Sequence, residues 1–231
     1  MEEHLANGAP RVLLWTLPTD HIDRIVIPGI NADAIDSGDR LISAGSATTT
    51  ALCLLLHALS ERFAIACGSM TTVHAFTSDQ ALQDYAGSDF RRSRSAAKNI
   101  IPNSHEASLW LGRILPAFDG KILTSALTVP VQEGCLLDTT LVLDDSAVTA
   151  DDINVAMRAA TAHSPGVVDV VEDPIVSSDV IGNPHSSIFD ASSTMTLGEN
   201  LLKVVSWFDN GWGYANRVVD LVKRFAAMEE G

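Results

Sequence analysis

The residue types able to do chemistry in this chain sit in a few short stretches. Ser43-Ala44-Gly45-Ser46-Ala47-Thr48-Thr49-Thr50-Ala51 leads straight into Leu52-Cys53-Leu54-Leu55-Leu56. Small and hydroxylated residues running into an apolar stretch predict a tight turn that enters a buried helix, with Ser46 or Thr48 capping its first N–H groups. A helix start of this kind gathers unpaired donors and positive dipole, which suits a thiolate or a bound anion. His74, with His105 or Glu106, offers an acid/base pair. Arg91, Arg92 and Arg94 make a basic cluster in which Arg94 can anchor an anion; a solvated or inter-subunit ion-pair role fits the cluster equally well.

The elements that must position these groups follow from pattern. Glu2 to Asn7 reads as a helix ended by Gly8. Arg11–Leu17 and Asp23–Ile30 read as strands parted by a Pro18-Thr-Asp20 turn. Beyond the opening helix come a strand over Phe63–Cys67, a second stretch Met70–Thr77, and a polar, irregular segment over 78–99. A helix is expected over Glu106–Leu115, strands at 123–129 and 135–143, and a helix to about Ala162 entered through the capping pattern Thr149-x-x-Asp152. Strands near 167–171, 187–190 and 202–208 precede the turn Asn210-Gly-Trp-Gly213 and an amphipathic helix from Asn216 to Met228. Mixed order without repeats or linkers predicts a single α+β domain, residues 1–231, with a mixed or antiparallel sheet covered by helices on one face.

Composition narrows the classes. The chain has 231 residues, 46 % hydrophobic and 19 % charged, the balance of a folded protein. A net charge of −14 argues against binding to a nucleic-acid backbone, and no apolar run reaches the length of a membrane span. Met1-Glu-Glu-His4 lacks the features of a secretory signal, and the three cysteines, Cys53, Cys67 and Cys135, are an odd number in apolar surroundings. Free thiols in a cytoplasmic protein are expected.

Several spaced motifs, in order, resemble the phosphorylating glyceraldehyde-3-phosphate dehydrogenases. They are the Ser43–Ala51 run, Thr71-Thr-Val-His74, Asp89-Phe-Arg-Arg-Ser-Arg94-Ser-Ala-Ala, Ile100-Ile-Pro102 and Val205-Ser-Trp-Phe-Asp-Asn-x-Trp-Gly-Tyr-Ala-Asn-Arg217-Val-Val-Asp220. Asn183-Pro-His-Ser-Ser-Ile-Phe-Asp190 leans toward the erythrose-4-phosphate dehydrogenase branch. The resemblance covers the catalytic, C-terminal domain of that family and implies its fold, an oligomeric state, and His74 as a general base. It implies phosphate contacts at Thr77 and Arg94 and positions near the nicotinamide at Asn210 and Tyr214.

The same resemblance exposes departures. The family's nucleophilic Cys falls at Ala47 and its second Cys at Ala51; Cys53, six residues after Ala47, points elsewhere on the helix. Ser46 is adjacent, and its side chain is better suited to capping the helix than to attacking a carbonyl. The family's substrate-phosphate Arg falls at Thr128, and Glu106 places a carboxylate where the family has a hydroxyl-rich anion cradle. No Gly-x-Gly-x-x-Gly follows a strand, so no nicotinamide cofactor and no cofactor domain are expected in this chain.

The reading that follows is a pseudoenzyme acting through protein–protein interaction, by homo-oligomer assembly or by association with a dehydrogenase-type subunit. Residues 78–99 and the C-terminal helix would carry the contacts. On that helix Val218, Val219, Leu221, Val222 and Phe225 form an apolar stripe that meets either its own domain or another chain. One alternative is a small-molecule enzyme or binding protein reusing the cleft through His74, Glu106 and Arg94. Another is a piece of a longer NAD-dependent sugar-phosphate aldehyde dehydrogenase.

Overall fold

The stretch from Ala47 to Ser60 is helical, and every residue from Thr48 to Leu56 is buried. A helix apolar on all sides must be enclosed on all sides, and that requirement sets the layering. The computed structural model describes residues 1–104, 107–145 and 147–229.

The chain begins with a short helix, α1 (Glu2–Ala6), that buries no side chain. Three brief strands then form a small parallel sheet, β1 (Val12–Leu14), β2 (Arg24–Ile25) and β3 (Leu41–Ser43), with β3 in the middle. The central helix, α2 (Ala47–Ser60), leaves β3 through the turn Ala44-Gly45-Ser46. Gly45 has φ +74°, and a Cβ there would lie 2.8 Å from Ile27 Cδ1, so the turn admits no larger residue without strain.

The main sheet follows. Its strands are β4 (Ile65–Ala75), β5 (Ile101–Ser104), β6 (Ile122–Val129), β7 (Cys135–Leu143), β8 (Val168–Val171), β9 (Ser187–Asp190), β10 (Met195–Leu197) and β11 (Leu201–Phe208). Their order is β5-β6-β4-β7-β11-β9-β8, with β10 alongside β11. β4 with β6 and β8 with β9 are parallel, and the other pairs are antiparallel. Helices α3 (Ala107–Ile114) and α4 (Ala150–His163) flank α2 on one face of this sheet, as the sequence pattern leads one to expect. The core is this helix layer: Leu52, Leu55, Leu56 and Leu59 of α2 pack with Leu111, Met157, Leu137 and Phe208. Each such side chain contributes about 1.5–3 kcal/mol of burial.

Some elements differ from expectation for identifiable reasons. The two stretches expected around Phe63–Cys67 and Met70–Thr77 are one continuous strand, β4. Gly68 does not break it, because β7 passes so close that a Cβ at this position would meet Thr140 O at 2.6 Å. β5 carries Pro102, which is tolerated at the sheet edge, where among the described residues β5 pairs with β6 alone.

The last helix, α5 (Trp212–Glu229), starts at Trp212 rather than Asn216, because the buried carboxylate of Asp209 accepts from the N–H groups of Gly211 (2.8 Å) and Trp212 (2.6 Å). Its apolar stripe divides. Leu221, Val218 and Phe225 pack against Val26, Ile35 and Ile42 of the small sheet region, whereas Val219 and Val222 remain about half exposed, at 49 % and 53 %. Among the described residues no helix is long and apolar enough to cross a membrane.

Candidate functional site

At the carboxyl ends of β4 and β6 a cleft of about 350 Å³ opens beside the first turn of α2. Register builds it. His74 on β4 pairs with Thr128 on the parallel strand β6, and Thr128 pairs in turn with Ile101 on β5. Asn103 follows two residues later on β5. The end of β11 and the start of α5 deliver Asn210 and Tyr214 from the opposite side, and Trp15 and Thr16 close it from the small-sheet side.

The start of α2 faces this space. Ser46 is the cap: its Oγ accepts from Thr49 N at 3.2 Å and bonds Thr49 Oγ1 at 2.9 Å. Ala47, the first helical residue, and Thr48 line the cleft. The turn is braced from behind, since the Tyr214 hydroxyl donates to Gly45 O at 2.9 Å and Ser43 Oγ donates to Thr16 O at 2.6 Å. Burial pushes the Tyr214 phenol up, so it remains a donor.

His74 is half-buried, with its ring edge toward Phe208 at a centroid distance of 6.3 Å. Its Nδ1 lies 2.6 Å from Ala75 O. A carbonyl only accepts, so Nδ1 carries the proton, and in the neutral ring Nε2 keeps its lone pair. Behind it sits Cys135, fully buried, with its Sγ accepting from Ala75 N at 3.3 Å and donating to Asn210 Oδ1 at 3.3 Å. Burial pushes this thiol up to about 12; the charge of Asp209 adds to the rise and the Ala75 N–H offsets part of it. A thiol so raised is held in its protonated form at neutral pH. The Cys53 thiol, within α2, is also raised by burial.

Polar groups on the β5–β6 side are committed to one another. Thr128, 4 % exposed, accepts through Oγ1 from Gln80 Nε2 (3.0 Å) and Asn103 Nδ2 (2.7 Å). At the rim, the Thr77 hydroxyl donates to Asp79, and Arg92 forms an ion pair with the same carboxylate. The Thr77 hydroxyl, and after it the Arg92 guanidinium, hold the Asp79 carboxyl below the usual range.

Of the residues singled out in the sequence, the cleft brings together Ala47, His74, Thr77, Thr128, Asn210 and Tyr214. Arg94 is not among its lining residues: its Nε bonds Asp84 Oδ2 at 3.0 Å and its side chain is 59 % exposed. Arg92 occupies the rim instead. Glu106 and His105 lie outside the described residues. Sequence reasoning did not single out Asp79, Gln80 or Trp15; it met Asn103 only as the start of the segment that stands where the family has its anion cradle, and Cys135 only as a free thiol, with nothing near it in the chain pointing to His74. Among the described residues no group of His, Cys, Asp and Glu is arranged to hold a metal.

The family model described as glyceraldehyde 3-phosphate dehydrogenase, C-terminal domain, matches residues 46–210. The chain belongs to the glyceraldehyde-3-phosphate dehydrogenase family. It is similar to the glyceraldehyde-3-phosphate dehydrogenase of Mycolicibacterium smegmatis, 45 % identical over 95 % of this chain and 64 % of that protein. The enzymes so named from Mycobacterium avium (44 % identical; 95 % of this chain, 64 % of that protein) and Borreliella burgdorferi (43 %; 94 % and 65 %) are similar to a comparable degree. The chain thus spans about 64 % of the length of these curated relatives and corresponds to the family's C-terminal domain.

A pyrophosphate seated at a strand-to-helix turn needs a backbone cradle. β3 enters α2 through a turn with a single glycine, whose carbonyl is taken by Tyr214. Within this chain that turn does not fit a pyrophosphate, which needs several glycines for close backbone approach.

Proposed function

We propose that this glyceraldehyde-3-phosphate dehydrogenase-family domain is catalytically silent toward aldehydes and acts by association and binding. The observation that carries the reading is the pairing of Ala47 with Cys135. The first position of α2 facing His74 has no side-chain nucleophile, and the thiol touching the cleft wall is buried, protonated and hydrogen-bonded. His74 Nε2 is then a base without a thiol to serve.

The support for association lies on the far side of the main sheet. Cross-strand partners there form rows: Leu127, Val73, Leu136 and Trp207 make one apolar row, and Ser125, Thr71, Asp138 and Val205 the next. Leu123 of the following row is 77 % exposed. A second copy, or a subunit of the same family presenting the same face, is the occupant such a surface suits, with Asp138 and Lys203 forming an ion pair within it. A second reading, ligand binding without turnover, is favoured by the open cleft itself.

The test is aldehyde oxidation of glyceraldehyde-3-phosphate and erythrose-4-phosphate with NAD and with NADP, using the full chain and its Ala47→Cys variant. Neither protein is expected to reduce cofactor above background. Turnover by the unaltered chain would break the reading, and rescue by the single Cys would show that the rest of the site is competent.

A further inference from the structure

Asparagine precedes glycine twice in this chain, at Asn7-Gly8 and at Asn210-Gly211. The pair has a chemistry of its own. The backbone nitrogen of the glycine, once it has lost its proton, can attack the side-chain carbonyl carbon of the asparagine, because glycine has no Cβ to crowd the approach. A bond forms from that nitrogen to Cγ, the Cγ–Nδ2 bond breaks, and ammonia leaves a five-membered succinimide. Water then opens the ring at either carbonyl, giving aspartate or its β-linked isomer. In both cases an amide and a water become a carboxylate and an ammonium ion.

The fold guards the two sites unequally. At Asn210 the attacking group is held: Gly211 N donates to Asp209 Oδ1 at 2.8 Å, and Asp209 is 2 % exposed. The side chain is held as well, since Asn210 Oδ1 accepts from Cys135 Sγ at 3.3 Å. Gly211 O takes the N–H of Ala215 at 3.0 Å, which ties the pair to the start of α5, a helix of 18 residues. Reaction there requires opening the start of α5.

At Asn7 there is much less to open. Asn7 and Gly8 are both exposed, and a Cβ at Gly8, where φ is +96°, would meet nothing within 4 Å. Gly8 N donates to Leu5 O at 3.1 Å and Ala9 N to His4 O at 3.0 Å, the closure of a helix that ends at a glycine. The helix so closed, α1, has five residues and buries none of them. A helix of that length is marginal by itself, so these two bonds break in local fluctuations that leave the main sheet intact.

We propose that Asn7 is a site of spontaneous deamidation in the folded protein, and that the fold protects Asn210 although it has the same neighbour. The product puts a negative charge at the carbonyl end of α1, where the helix dipole is already negative. The β-linked product also adds a carbon to the main chain, which disrupts the closure at Gly8. The element loosened is α1, whose Leu5 leans on the core.

The experiment incubates the full chain at mildly alkaline pH, in buffer and unfolded in guanidinium chloride, and follows both peptides by mass spectrometry. Labelling with an isoaspartyl methyltransferase reports the β-linked product separately. Where opening is fast relative to reaction, the folded rate is the unfolded rate scaled by the population of the open form. In denaturant the two pairs are expected to react within about threefold of each other; folding is expected to slow Asn210 at least about a hundredfold and Asn7 less than about tenfold. Asn7→Asp, which reproduces the unrearranged product, is expected to speed amide hydrogen exchange of α1 several-fold and to leave the main sheet unchanged. Slowing at Asn7 as great as at Asn210 overturns the proposal, as does deamidation that appears first at another asparagine. Unchanged exchange of α1 in Asn7→Asp overturns the loosening assigned to it.

Discussion

Helices α2 and α4 are both 14 residues long and both begin at a hydroxyl cap, yet their starts are finished differently. At α4, Thr149 Oγ1 accepts from Asp152 N (3.2 Å), Asp152 Oδ2 accepts from Thr149 N (3.0 Å), and Asp151 and Asp152 place two carboxylates in the first turn. At α2, Ser46 Oγ accepts from Thr49 N and bonds Thr49 Oγ1, and the first turn has no acidic residue to return a bond. The α4 start is closed by its own side chains. The α2 start leaves its positive end facing the cleft. Burial runs the other way, since α2 is enclosed along almost its whole length and α4 only along the stripe Ile153, Ala156, Met157 and Ala160. One helix is held by its body and the other more by its end.

This contrast can be broken most directly through the bodies. Leu55→Ala in α2 is expected to cost about 2–5 kcal/mol in urea unfolding, because it opens a cavity in an enclosed layer. Val155→Ala on α4, at a site 50 % exposed, is expected to stay within about 0.5 kcal/mol. Similar losses at the two sites would mean that α2 does not organise the core.

The ends give a smaller effect with the opposite ranking. Thr149→Ala removes half of a reciprocal pair and is expected to cost about 1–2 kcal/mol, against about 0.5–1 kcal/mol for Ser46→Ala. Equal losses by the same denaturation measurement would erase the distinction between a closed and an open start.

The smallest effect, and the sharpest discriminator, depends on pH. The Thr149 hydroxyl and backbone hold the Asp152 carboxyl below its ordinary value of 3.8. A carboxylate depressed on folding contributes its stability in full above that ordinary value, and the contribution is lost as pH falls below it and through the lowered folded-state value. Unfolding curves of the unaltered chain and of Asp152→Asn should therefore differ at pH 7 and draw together progressively as pH falls below about 4. A gap that persists in acid would mean that the Asp152 charge is not what closes the α4 start.

Much of this architecture was legible in the residues. The apolar run after Ser46 announced an enclosed helix, Thr149-x-x-Asp152 announced the box, and the stretch Cys135–Leu143 announced a strand, whose alternating burial only the structure showed. Local signals of that kind are written in neighbouring residues. What stayed hidden was set by register between distant segments. Cys135 reaches Ala75 across 60 positions, and Gln80 reaches Thr128 across 48. Arg92 rather than Arg94 reaches the rim because the 78–99 segment folds on itself through Asp79, Asp84 and Asp89, whose partners no periodicity encodes. For the candidate site, therefore, the sequence named part of the lining, His74, Thr77, Thr128, Asn210 and Tyr214 among it, and the structure added the rest and decided which hydrogen-bonding atoms were already spent.

The phenol of Tyr214 spans 169 positions to reach the Gly45 carbonyl. It ties the start of α5 to the turn that seats Ser46 and Ala47, so two distant stretches of the described chain share one buried hydrogen bond. Losing that phenol would leave the Gly45 carbonyl without its partner and loosen the entry to α2 from a residue that is not part of it.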